Sequence, residues 1–138
     1  MHRIFSINTD GAGLYEITGA VQRWLHEGPM AEGVLTLFIR HTSASLLIQE
    51  NADPSVQRDL ASFFDRLAPQ ADDPAMGWIT HRSEGPDDMP AHLKAALLPT
   101  NLQIPVIGRK ILLGTWQGIY IFEHRTQPHR REVVALLR

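Results

Sequence analysis

The sequence predicts an α+β domain built on an antiparallel sheet. Three observations lead there. Apolar, strand-like segments open and close the chain, near Arg3–Ile7 and Arg131–Leu137. Segments with helical periodicity sit between them. The order does not alternate strand and helix regularly, as a doubly wound parallel sheet requires. A length of 138 residues makes one domain, 1–138. A chain of this size buries roughly two thirds of its unfolded surface and needs no disulfide or metal to fold.

Each element has its own signal. Arg3–Ile7 reads as a strand closed by the turn-rich Asn8-Thr9-Asp10-Gly11. Ile17, Val21, Trp24 and Leu25 share one face of a helix that Thr18 can cap and Gly28-Pro29 stops. Gly33–Arg40 is a strand. His41–Ser45 interrupts the apolar run, which resumes at Leu46-Leu47-Ile48. Asp53 is an N-cap with Pro54 at the first helical position. Val56, Leu60, Phe63, Phe64 and Leu67 then repeat at helical spacing until Pro69. Residues 69–90 hold four prolines and many acids and read as a long, irregular loop. A short helix is expected over about Pro90–Leu98. Strand follows from Ile104, with Lys110–Gln117 and Ile119–His124 paired as a hairpin about Gly118.

Composition narrows the function. Hydrophobic residues are 43% and charged residues 20%, ordinary for a globular domain. The net charge of -2 argues against non-specific nucleic-acid binding. The absence of cysteine removes disulfide scaffolds, thiolate zinc sites, iron–sulfur clusters, cysteine nucleophiles and the zinc nucleobase deaminases. Seven histidines are then the only nitrogen ligands for a metal. There is no signal-peptide h-region and no apolar run near the ~20 residues of a membrane span. A soluble cytoplasmic protein is the expectation. Dinucleotide, phosphate-loop, HExxH and GxSxG signatures are absent.

Three clusters can carry chemistry. In His41-Thr42-Ser43-Ala44-Ser45, His41 can bind metal or move a proton, and Thr42 and Ser43 can hold phosphate oxygens. The bland alternative is a strand-edge bulge whose hydroxyls bond to backbone. In the second cluster, Asp88 and His92 fall four apart on one helix face, with His81 and Asp87 nearby. Two imidazoles and a carboxylate suit zinc with an open position. The Asp87-Asp88 pair suits Mg²⁺ held through phosphate. The alternative is that Asp88 caps the helix and the histidines are solvated. In the third cluster, Trp116 and Gln117 can stack on and hydrogen-bond to a ring. Glu123 can be a base or orient a histidine, and Arg125 and Arg130 can clamp an anion. Against that stand a core Trp and a surface charge ladder. His2 and His26 read as structural or solvated.

HTSASLLIQENADPSVQRDL (41–60), DDMPAHLKAALL (87–98), IPV (104–106) and GRKILLGTWQGIYIFEHR (108–125) follow one another in order. Together they resemble the YjbQ family, UPF0047, over nearly the whole chain. The resemblance implies a compact α+β domain with a β-sandwich or barrel-like core and inserted helices, assembled as a homotrimer with clefts between subunits. It implies a small-molecule substrate, and metal at the histidines His41, His81 and His92 with Asp88. The family name, secondary thiamine-phosphate synthase, implies a transferase that joins a thiazole phosphate to a pyrimidine diphosphate and releases pyrophosphate. On that reading His41, Asp88 and Glu123 serve catalysis. Mg²⁺ on Asp88, with Arg125 and Arg130, stabilises the leaving pyrophosphate, and Trp116 stacks on the ring. A three-histidine zinc hydrolase and a non-catalytic module that binds an anionic metabolite are the alternatives. Two departures stand out: Met89 replaces the family's Asn after the acidic pair, and Pro99-Thr100 replaces Gly-Ser.

Overall fold

A computed structural model describes all residues from Met1 to Arg138. The elements in order are β1 (His2–Thr9), β2 (Gly13–Glu16), α1 (Thr18–Glu27), β3 (Gly33–Ile39), β4 (Ala44–Glu50), α2 (Pro54–Leu67), α3 (Asp88–Leu97), β5 (Asn101–Ile107), β6 (Lys110–Ile111), β7 (Gln117–Glu123) and β8 (His129–Leu137). They form a five-stranded sheet ordered β1-β8-β3-β5-β6 and a three-stranded sheet ordered β2-β7-β4. Every pairing is antiparallel. The chain is a mixed α+β domain with curled antiparallel sheets.

Alternation places the core. Leu35, Leu37 and Ile39 of β3 face inward with Val133, Ala135 and Leu137 of β8. They meet Ala44 and Leu46 of β4 and Ile119 and Ile121 of β7 across the gap between the sheets. Val21, Trp24 and Leu25 of α1 join this cluster. β7 is buried on both faces: Phe122 packs edge-on against Phe64 of α2 at 5.6 Å, and the Tyr120 hydroxyl meets Gln57 at 3.3 Å. Helices therefore cover the outer face of the smaller sheet.

Four expectations are corrected. Gly118 is not a hairpin turn. It lies inside β7, whose partners are β4 and β2. The tight turn is Gly108-Arg109, with φ of 58° and 62°, the paired positive values of a two-residue hairpin. Residues 112–116 are consequently loop rather than strand. Thr18 does not cap α1: its hydroxyl instead accepts the Ile119 N–H at 2.8 Å, tying the helix start to β7. Helix α3 begins at Asp88, two residues before Pro90. β2, with four residues, is too short to show alternation in the sequence.

The loop before α3 is not slack. Ala71, Met76 and Ile79 make a small second core with Met89 and Leu93. The Arg82 guanidinium donates to the carbonyls of Ile79, Ala71 and Met76 at 3.3, 2.8 and 2.9 Å. This staple fixes the residue next to it, His81. No helix is long and apolar enough to cross a membrane.

Candidate functional site

The first turn of α3 is the foundation. Asp88 is 2% exposed, and His92 follows one turn later on the same face. Asp88 Oδ2 lies 2.7 Å from His81 Nε2 and 3.3 Å from His92 Nε2. Glu84 Oε2 lies 3.4 Å from His81 Nε2. One donor atom from each of these four residues falls within 4.8 Å of the others. Glu84 escaped the sequence reading because it sits in an aperiodic loop. Its only signal was its position three residues after His81.

Backing groups hold the cluster. Arg125, just past β7, donates from Nη1 to Asp88 Oδ1 at 2.7 Å and from Nε to Asp87 Oδ2 at 2.9 Å. Asp87 also accepts the Thr126 N–H at 2.9 Å. Burial pushes both aspartates up, but the hydrogen bonds and the Arg125 charge prevail and hold both carboxyls below their usual range. The hydrogen bond to Asp88 raises His81 above its ordinary value, against a desolvation effect and with Glu84 assisting. His92 Nδ1 is 3.0 Å from the Thr42 carbonyl, which can only accept. Nδ1 therefore carries a hydrogen, and Nε2 faces the Asp88 carboxylate.

The remaining sequence candidates lie elsewhere. His41 is outside the four-residue cluster. Its Nε2 accepts the Glu132 N–H at 2.8 Å, and desolvation followed by the Arg131 charge lowers its pKa. It does share a surface depression with Thr42 and His92. Ser43 gives its carbonyl and hydroxyl to Arg131. Glu123 is fully buried: it accepts from Thr9 at 2.6 Å, from Arg131 Nε at 2.7 Å and Nη2, and from the N–H groups of His124 and Arg125 at 3.0 and 3.2 Å. That carboxylate orients Arg131 and faces no solvent, so the geometry gives it no role as a base. Arg125 is likewise engaged with acids rather than free to clamp an anion. Arg130 is exposed and reaches Ser6 of β1 at 3.1 Å.

Trp116 and Gln117 stand at the opposite end of β7 from Glu123, about 20 Å away by strand rise. Trp116 is 63% exposed, and Gln117 accepts the Gly114 N–H at 2.8 Å to close its own loop. Within one chain, Trp116 cannot stack on a ring held at His81 and His92. The sequence reading also missed His124. It is buried, its Nε2 is 2.9 Å from Ser45 Oγ, and its Nδ1 has no partner. Desolvation first, then the Lys94 charge, lowers its pKa to about 3.

With this geometry in hand, the chain can be set beside known proteins. A family model described as UPF0047 protein YjbQ-like matches residues 3–138. The chain belongs to the UPF0047 family. The UPF0047 protein sll1880 of Synechocystis is 45% identical over 132 residues, covering 96% of this chain and 87% of that protein. The UPF0047 protein YjbQ of Escherichia coli O157:H7 is 38% identical over 136 residues, covering 98% and 95%. A solved UPF0047 structure from Clostridium acetobutylicum superposes with a TM-score of 0.85 at 33% identity, covering 99% of each chain. That of the hypothetical protein APE1520 from Aeropyrum pernix K1 gives 0.87 at 26% identity, covering 100% and 98%. These two solved chains thus share the fold of this chain over almost its whole length.

Proposed function

We propose that this UPF0047 protein is a metal-dependent enzyme acting on a small molecule, with His81, Asp88 and His92 as ligands and Glu84 as fourth ligand or proton acceptor. One observation carries the reading. Ligand-type atoms of His81, Glu84, Asp88 and His92 converge to within 4.8 Å of one another, and two imidazoles with two carboxylates are a donor set that suits a divalent cation. A tetrahedron with bonds of about 2.0–2.1 Å has edges of about 3.3–3.4 Å. The His92–Asp88 and His81–Glu84 separations of 3.3 and 3.4 Å fit that edge. The His81–Asp88 contact of 2.7 Å has to open slightly. The Thr42 carbonyl on His92 and Arg125 on Asp88 are the kind of backing partners that hold metal ligands in place.

A bound divalent cation supplies Lewis acidity and lowers the pKa of water, which makes hydrolysis the simplest chemistry. The chain's own part is to orient three donors on a stapled loop and a helix. Exposed Glu84 sits beside them, able to take a proton. The thiamine-phosphate synthase reading rests on the family resemblance. It would place the leaving pyrophosphate on the same cation, because Arg125 is engaged. A homotrimer is part of the proposal, supported by a contiguous apolar row on the outer face of the larger sheet. There Ile4, Val134 and Phe38 are register neighbours beside exposed Val34 and Leu136.

The test begins with elemental analysis of untagged protein. Near-stoichiometric zinc or another transition metal per chain, lost in His81→Ala and His92→Ala, supports the site. Metal that stays bound in both variants sinks it. A phosphoesterase panel and a pyrophosphate-release assay then separate hydrolase from transferase. Saturable binding without turnover in either leaves a binding module.

A further inference from the structure

Beside the histidine–acid cluster lies a second built site. Between β3 and β4 the chain turns through Arg40–Ser43 and lines a cavity of about 630 Å³ together with Thr100 and Arg131. The lining contains two guanidinium groups, one imidazole and three hydroxyls, and no carboxylate.

Arg131 is 4% exposed. Its Nε and Nη2 donate to Glu123 and Ser43. No acceptor in the chain takes a hydrogen bond from Nη1. Nor is Nη1 sealed in, since the one buried side-chain nitrogen or oxygen without a partner is His124 Nδ1. Arg131, which lines the cavity, therefore keeps an Nη1 group with no partner in the chain. The backbone adds more donors. The N–H groups of His41, Thr42 and Ser43 donate to no backbone acceptor, and no side chain receives them. More than about nine in ten buried backbone groups find a partner, and Ser43 is buried. Arg40 borders the mouth, paired with Glu132 at 3.4 Å on the surface, a weak contact that an incoming anion can displace.

Consecutive free amides, a free guanidinium nitrogen and hydroxyls around one acid-free space are the makings of an anion site. We infer that this cavity is an oxyanion subsite, taking the phosphoryl or carboxylate group of the substrate whose reacting bond lies at the histidine–acid cluster. The two sites adjoin: His41, Thr42 and Thr100 also line the depression that holds His92. The substrate class is thus a small anionic molecule with its charge one pocket away from the reacting bond. Only the link to a reacting bond rests on the metal-enzyme reading; oxyanion binding itself does not need the metal.

The experiment is amide NMR of the full chain after chelator treatment, titrated separately with inorganic phosphate and with acetate. The expected result is saturable movement of the His41, Thr42 and Ser43 amide signals by at least one anion. Phosphate alone identifies a phosphoryl ligand, and acetate alone identifies a carboxylate. Arg40→Gln, at a surface position, raises the half-saturating concentration about fivefold to tenfold. No saturable movement with either anion overturns the subsite. So does movement centred elsewhere, or movement unchanged in Arg40→Gln. A parallel Zn²⁺ titration followed at the His81 and His92 ring signals separates the two readings. Anion binding without zinc binding refutes the metal enzyme and leaves the subsite standing, whereas zinc binding without anion binding does the reverse.

Discussion

Two charged clusters flank the β7–β8 connection, and each sets an arginine against a buried carboxylate. The interior one is Glu123, Arg131, Thr9 and Ser43. The outer one is Asp88, His81, Glu84 and His92, backed by Arg125. In the interior cluster every Glu123 oxygen is occupied by donors. In the outer cluster His81, Glu84 and His92 keep solvent-exposed faces around buried Asp88. Residue type does not separate a structural ion pair from a reactive site. The balance of donors and acceptors does. The saturated Glu123 carboxylate has no capacity left for a ligand, while an unsaturated, half-exposed set of acids and imidazoles does.

That contrast can be broken most forcefully from the inside. Glu123→Ala leaves Arg131 buried without its carboxylate and is expected to destabilise the fold by about 3–5 kcal/mol in urea unfolding. A loss under about 1 kcal/mol would show that the pair is not structural. The outer cluster should behave oppositely. His92→Ala is expected to weaken zinc binding at least about 100-fold by isothermal titration. Its unfolding free energy should move by no more than about 1 kcal/mol.

A third, smaller effect concerns His124, behind the interior pair. Its folded pKa of about 3 lies below the ordinary value of 6.5. The unfolded chain therefore takes up the proton first. Stability is complete above pH 6.5 and falls as the pH drops toward 3. Between pH 6.5 and 5 the loss from this group is about 2 kcal/mol. His124→Phe should flatten that slope in pH-dependent thermal unfolding, and an unchanged slope would place the acid sensitivity elsewhere. The smallest expectation is at the far end of β7. Trp116→Ala should leave zinc and phosphate affinities within about twofold, since Trp116 is about 20 Å from the site along the strand. A larger drop would mean that another copy's Trp116 reaches in, which would sharpen the trimer proposal.

Much of the fold was legible in the sequence. The apolar face of α1, the Asp53-Pro54 helix start and the alternation in β3 and β8 are local patterns, and each appears where its period places it, whereas the apolar row of α2 buries no residue fully and leaves Phe63 and Leu67 exposed. The misplaced hairpin shows the limit. Gly118 looks like a turn because it interrupts apolar residues, but it is buried in β7, the middle strand of the smaller sheet, where a Cβ would lie 3.0 Å from the Tyr120 ring and 3.2 Å from Asn51 Cβ. Close packing, not turn geometry, is the pressure on that glycine.

The site divided the same way. Asp88 and His92 came from helical spacing, and His81 from its company of acids. Those are distances along a chain. Local pattern is enough to read most helices and strands, though not β2 or the β5–β6 hairpin, and composition alone removes thiolate chemistry and names the side chains with metal-type donors. Which of those donors remain free depends on long-range packing. Glu123 and Arg125 are consumed by partners several residues to dozens of residues away in the chain, and Glu84 is brought in by a loop that Arg82 staples. Trp116 is carried off by the length of a strand. The physical reason is that secondary structure answers to short-range periodicity, whereas reactivity depends on unsatisfied hydrogen-bonding capacity, which exists only once every long-range partner is in place.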